Sequence, residues 1–229
     1  MSLWIPSKSL LAGEHPPRGE GRRSCESHAA PEDAAVGAVA AAAGTLIPDS
    51  RAAFYTPVSA ESVHDFAVRD VRGAEVALER YLGSVLLIVN VATLAPNASQ
   101  FVSLESLYRK FQARGLRVLA FPSHSFGAEP RREADIEQIC RNRFRATFDL
   151  FEKVAVNGKD QAPLYAFLTN RHRHPEFGGA VEHDFAKFLI DGDGQVIGRF
   201  RPAQDPLSPD VVASVERAVD APPPVAPRP

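Results

Sequence analysis

Leu86-Leu87-Ile88-Val89-Asn90-Val91 is the stretch on which the fold turns. It is a continuous, partly β-branched apolar run, the mark of a central strand buried on both faces. Downstream, residues 99–114 carry Phe101, Leu104, Leu107, Tyr108 and Phe111 at helical spacing, with Gly115 just past the end. Leu116-Arg117-Val118-Leu119-Ala120-Phe121 then predicts a second central strand, closed by Pro122. Strand, helix and strand together predict a right-handed parallel crossover.

Working outward, the alternation in His64-Asp65-Phe66-Ala67-Val68 predicts a short strand upstream. Residues 132–143 predict a helix with Ile136, Ile139 and Cys140 on its inner face, and residues 162–169 a shorter one. Residues 185–190 and 195–200 predict two strands joined by Asp191-Gly192-Asp193-Gly194, since Asp-Gly between apolar runs is a hairpin signal. A last helix over 208–219 opens with Ser208 as N-cap and Pro209 at its first position. By analogy of element order, this is an α/β protein with a thioredoxin-like fold, a central mixed β-sheet flanked by helices.

The 229 residues, 45% of them hydrophobic, suit one domain with chain left over for tails. Residues 1–57 read as a disordered or weakly ordered extension: Pro16-Pro17, Gly19 and Gly21 break helices, and residues 34–44 are alanine-rich and low in complexity. The folded domain is expected over 58–220, followed by a Pro-rich tail over 221–229. A net charge of −2 gives no electrostatic reason to expect nucleic acid, and no run is long enough to predict a transmembrane segment. Near the N-terminus the apolar residues precede most of the basic ones, the reverse of a secretory signal, while Glu14, Glu20 and Glu26 are foreign to a mitochondrial presequence. Two cysteines, Cys25 and Cys140, argue against a disulfide framework and fit an intracellular setting, cytoplasmic or mitochondrial.

Several segments carry a resemblance: Ile88-Val89-Asn90-Val91-Ala92, Leu119-Ala120-Phe121-Pro122, Phe126-Gly127, Glu129-Pro130, Val156-Asn157-Gly158, Ala162-Pro163-Leu164-Tyr165 and Phe185-Ala186-Lys187-Phe188-Leu189. In that order and at nearly that spacing, residues 62–219 resemble the glutathione peroxidase family. The resemblance implies a thioredoxin fold and reduction of hydroperoxides by a cysteine or selenocysteine, assisted by a glutamine, a tryptophan and an asparagine. Family members commonly read Asn-Val-Ala-Ser-Lys-Cys after the first central strand. Here the stretch is Asn90-Val91-Ala92-Thr93-Leu94-Ala95, so the resemblance puts Ala95 at the nucleophile's position. It puts Ser125 at the glutamine's, and His183 and Asp184 at those of the tryptophan and asparagine.

The substitutions bear on chemistry. Peroxide reduction needs a soft, ionised nucleophile that becomes a sulfenic or selenenic acid, and alanine offers no lone pair. A carboxylate at 184 would also disfavour a neighbouring thiolate. Some family members use a resolving cysteine with thioredoxin as reductant; counting from Pro130 and Arg143-Phe144 puts Arg141 there, one residue past Cys140. Cys140 reads either as a core thiol or as a displaced reactive one, with Arg141 and Arg143 available to lower its pKa.

The same residues carry the ingredients of other chemistry. Ser123, His124, Ser125, His183 and Asp184 invite a hydrolase reading, but adjacent residues on a strand point to opposite faces, which would separate His183 from Asp184. His172, His174, His183 and Asp184 are acceptable zinc ligands by type, yet Arg171 and Arg173 oppose a cation, and solvated loop residues are the simpler reading. Phe101, Phe111, Phe121, Phe148, Phe151, Phe185 and Phe188 are expected in the core, and nothing calls for a cofactor or metal. The expectation is a family member without its peroxidatic residue, acting by binding a protein partner or within an assembly. The alternative is an active thiol peroxidase using Cys140 or another thiol, with glutathione or thioredoxin as donor.

Overall fold

The computed structural model describes residues 60–129 and 131–221. The expected N-terminal extension, Cys25, Pro130 and nearly all of the Pro-rich tail lie outside the described residues. Where the sequence alternation predicts one strand over His64 to Val68, the chain instead makes a 3-10 turn at Val63–Asp65, and only Ala67–Arg69 (β1) is extended. A local capping pair outcompetes the alternation: Ser62 Oγ accepts from the His64 N–H at 3.1 Å, and Asp65 Oδ2 accepts from the Ser62 N–H at 2.9 Å. β1 pairs antiparallel with Glu75–Ala77 (β2), a ribbon the sequence reading does not anticipate.

Five further strands form the main sheet: Val85–Val91 (β3), Leu116–Pro122 (β4), Asp149–Leu150 (β5), Lys187–Ile190 (β6) and Val196–Phe200 (β7). Their order is β5-β4-β3-β6-β7. β3 runs parallel to β4 and β4 to β5, whereas β3–β6 and β6–β7 are antiparallel, so the sheet is mixed as expected. Every residue of β3 is buried. Because successive strand side chains alternate faces, Leu87, Val89 and Val91 enter one core and Leu86 and Ile88 the other.

The first core is closed by three helices, Gln100–Phe111 (α1), Glu133–Asn142 (α2) and Pro209–Asp220 (α4). The second is closed by Pro163–Leu168 (α3) together with Phe121, Phe151 and Phe188. All seven phenylalanines expected in the core are buried. Helix α1 covers the whole apolar pattern and ends with it at Phe111; a 3-10 turn over Gln112–Arg114 then carries the chain to Gly115, whose φ of 97° suits glycine. Ser208 does hold the N-cap position of α4, but its hydroxyl makes no capping bond; Pro209 at the first position sets the entry instead.

The third expected strand also begins late. Phe185 has φ 69°, left-handed for a bulky residue, so the ladder starts only at Lys187. Burial over-determines this conformation. The Phe185 N–H donates to Asn90 O at 2.6 Å, and its ring meets Phe101 edge-on at 5.3 Å.

Candidate functional site

Three loops meet beyond the C-terminal ends of β3 and β4, and they carry the four positions singled out by the resemblance. The first loop follows β3. It coils tightly, with the Ala95 N–H donating to Ala92 O and the Ala98 N–H to Ala95 O at 3.0 Å. Glu129 Oε2 accepts from the Thr93 N–H at 2.6 Å, and the Leu94 N–H donates to Ala128 O at 3.3 Å. Ala95 is thereby packed to 5% exposure, while its neighbour Leu94 is half exposed.

The second loop follows β4. Ser123 is wholly buried and its Oγ accepts from the Ser125 N–H at 3.2 Å; Ser125 Oγ in turn accepts from the Val156 N–H at 3.0 Å. Both hydroxyls thus serve turn geometry. Gly127, at φ 75°, lets the chain reverse after Phe126.

The third loop holds His183 and Asp184. The His183 imidazole stacks on Phe126 with centroids 5.2 Å apart and planes 7° apart, joining the second and third loops. Asn90 Nδ2 donates to His183 O at 3.1 Å and Asn97 Nδ2 to Asp184 O at 3.3 Å, which ties the third loop to the first. Ala95, Ser125, His183 and Asp184 therefore belong to one connected set of loops.

His183 and Asp184 are not separated on opposite strand faces, contrary to the expectation from strand alternation. His183 and Asp184 precede the strand instead of lying on it, so their side chains do approach, Nδ1 to Oδ2 at 3.8 Å. That distance is too long for the orienting hydrogen bond of a triad, and Nδ1 already accepts from the Asp184 N–H at 2.8 Å. The zinc reading fares similarly. His172 is exposed, but His174 is buried against the Phe167 ring, 5.0 Å between centroids, so it is a packing residue and not a solvated one. Among the described residues no three of histidine, cysteine, aspartate and glutamate gather closely enough to hold a metal ion.

The electrostatics of the site are dominated by buried acids. Asp184 is fully buried, and neither of its carboxylate oxygens has a hydrogen-bond partner among the described residues. Burial pushes its pKa up to about 6; His183 opposes the shift and Glu129 adds to it. Glu129 is also fully buried, and its Oε1 is unpartnered. On α2, Cys140 has no exposure, and burial drives its thiol up to about 12, with Glu129 reinforcing and Arg141 opposing. Arg141 spends its Nη1 on the carbonyls of Ala146 and Phe148, each at 2.8 Å, and Arg143 lies over the Phe144 ring at 5.0 Å. The activation of Cys140 by its arginine neighbours, entertained from the sequence, is overruled by burial.

The family model for glutathione peroxidase matches residues 63–169. A probable phospholipid hydroperoxide glutathione peroxidase of Solanum lycopersicum is 43% identical over 150 residues, covering 65% of this chain and 88% of that protein. The chain belongs to the glutathione peroxidase family. The glutathione peroxidase homolog BsaA of Bacillus subtilis (strain 168) is 36% identical over 159 residues, 68% of this chain and 99% of that one. Among solved structures, Trgpx in its apo form aligns with a TM-score of 0.59 at 32% identity, covering 72% of this chain and all of that one. A thioredoxin-family thiol:disulfide interchange protein from Chlorobium tepidum TLS aligns at 0.50 with 15% identity, over 67% of this chain and 92% of that one, a likeness of fold alone.

Two residues of this glutathione peroxidase scaffold were not assigned a role from the sequence. Glu129 staples the Ala95 loop, although its Glu-Pro motif was visible. Lys187, in Phe-Ala-Lys-Phe, is fully buried and donates to the carbonyls of Phe185, Gln204 and Arg201 at 2.8, 2.6 and 3.4 Å. A lysine inside an apolar strand was the signal for it.

Proposed function

We propose that this member of the family has lost the peroxidatic residue and acts as a non-catalytic binding or structural subunit. The observation that carries the reading is Ala95. Aligned on Asn90-Val91-Ala92, it occupies the nucleophile's place, and a methyl group cannot give electrons to an O–O bond. Ser125, His183 and Asp184 occupy the other three positions of the family's tetrad, and Ser125 already has its hydroxyl engaged by the Val156 N–H. Cys140, the free cysteine among the described residues, is a poor substitute, being inaccessible and protonated at neutral pH. The partner is a protein or a larger assembly, met through the faces of the fold or the N-terminal extension; nucleic acid has no part in it.

The test is donor-dependent peroxide consumption. Hydrogen peroxide and a phospholipid hydroperoxide are supplied, the latter because relatives bear that name, with glutathione or thioredoxin as reductant. The expected rate equals the protein-free background, for the parent and for Cys140→Ser alike. Turnover by the parent overturns the reading, and its loss in Cys140→Ser identifies the thiol peroxidase alternative. The binding role is tested by mass measurement of the chain purified from its source under native conditions; a lone monomer counts against it.

A further inference from the structure

Behind the Ala95 loop lies a group of buried oxygens that no donor reaches. Asp184 Oδ1 and Oδ2, Glu129 Oε1, Thr93 Oγ1 and Asn97 Oδ1 all lack a hydrogen-bond partner among the described residues. Asp184 and Glu129 are 0% exposed and Thr93 2%. Both acids are tied to the 92–98 loop: the Thr93 N–H donates to Glu129 and Asn97 Nδ2 to Asp184 O. A buried carboxylate without donors is costly when ionised, and a second one nearby raises that cost. One added proton removes a charge and supplies the missing donor, because a protonated carboxyl gains an O–H.

We propose that Asp184, sealed from water with neither carboxylate oxygen hydrogen-bonded, takes up a proton as pH falls, which makes the 183–185 turn, tied to the 92–98 loop through Asn97, a proton-responsive element. The charges facing Asp184 leave few other ways to neutralise it. From its own turn, His183 offers Nδ1, whose lone pair is engaged by the Asp184 N–H. From β6, Lys187 directs its ammonium at three backbone carbonyls. Glu129 repels a charge on Asp184, and from the α1 side Asn97 and Gln100 are neutral amides. The upward displacement of Asp184 accords with this. Its folded pKa of about 6 lies above the ordinary 3.8, so the stabilisation is fully present below 3.8 and is lost as pH rises through 6. The inference goes beyond the non-catalytic reading and does not depend on it.

The experiment is urea denaturation of the full chain between pH 4 and 7.5, comparing the parent with Asp184→Asn. The ratio of the parent's folding constant to the variant's should fall on the order of 100-fold across that range. Carbon-13 NMR should follow the Asp184 carboxyl in the parent with a midpoint near 6; Glu129→Gln should lower that midpoint. Should Asp184→Asn fail to fold, the carboxyl titration decides. A ratio that stays flat, or a midpoint below 4, overturns the proposal. So does a melting temperature at pH 7.5 that calcium chloride raises and EDTA restores, since the oxygens would then hold a metal and not a proton.

Discussion

Asp184 and Lys187 are three residues apart, both wholly buried, and the fold treats their charges in opposite ways. Lys187 has an acceptor for each ammonium proton, and its pKa, lowered by burial to about 8 with Asp205 opposing, leaves it charged at neutral pH. Asp184 has no donor for either oxygen. A buried ion is tolerable when its hydrogen-bonding capacity is met. The difference separates an ammonium whose every proton has an acceptor from a carboxylate with no donor. Lys187 clamps the β6 start to the 201–204 loop, and all seven residues of the neighbouring β3 are buried. Asp184, Glu129, Thr93 and Asn97 leave unpartnered acceptors in the loops beyond the strands.

The sharpest way to break this comparison is Lys187→Met. It takes the Lys187 donor from the carbonyls of Phe185 and Gln204, while Arg201 O keeps the Gln204 N–H, and the expected loss is about 3 kcal/mol by urea denaturation. A loss near zero would mean that the clamp is no better satisfied than Asp184. Asp184→Asn should act in the other direction. At pH 7.5 it should gain on the order of 2 kcal/mol over the parent, with the gain gone near pH 4, where the parent's carboxyl is protonated.

Two smaller changes sharpen the picture at the rim. Phe126→Ala removes the ring that stacks on His183, and a loss of about 1 kcal/mol is expected, read as a shift in denaturation midpoint at constant slope. Ala95→Cys should change stability by less than about 1 kcal/mol, since it adds one small atom to a loop. Its peroxidase rate should remain close to background, because Ser125, His183 and Asp184 are unchanged. Rates approaching an intact relative would show that those three positions matter less than the nucleophile alone.

Much of this was legible in the chain because it is periodic. The apolar run ending at Val91, the helical spacing from Phe101 to Phe111 and the Asp-Gly turn each encode one element locally, and each appears within a residue or two of its expected bounds. Elements resting on a few residues escaped. β5 has only two, Asp149 and Leu150, and is held by pairing with β4; the β1–β2 ribbon has three on each side. The alternation at His64 to Val68 misled because Ser62 and Asp65 offered the backbone a local alternative.

At the site, the sequence by itself determined which side chains stand at positions 95, 125, 183 and 184, and that the first of them carries no nucleophile. Only the tertiary structure decided their surroundings: that Asp184 is sealed from water, that Cys140 is buried, and that His183 stacks on Phe126. Those facts depend on desolvation and on partners brought from more than thirty residues away in sequence, as Thr93 is to Glu129. Periodicity along a chain records which face of an element is buried. It does not record which charge, once buried, will find a donor.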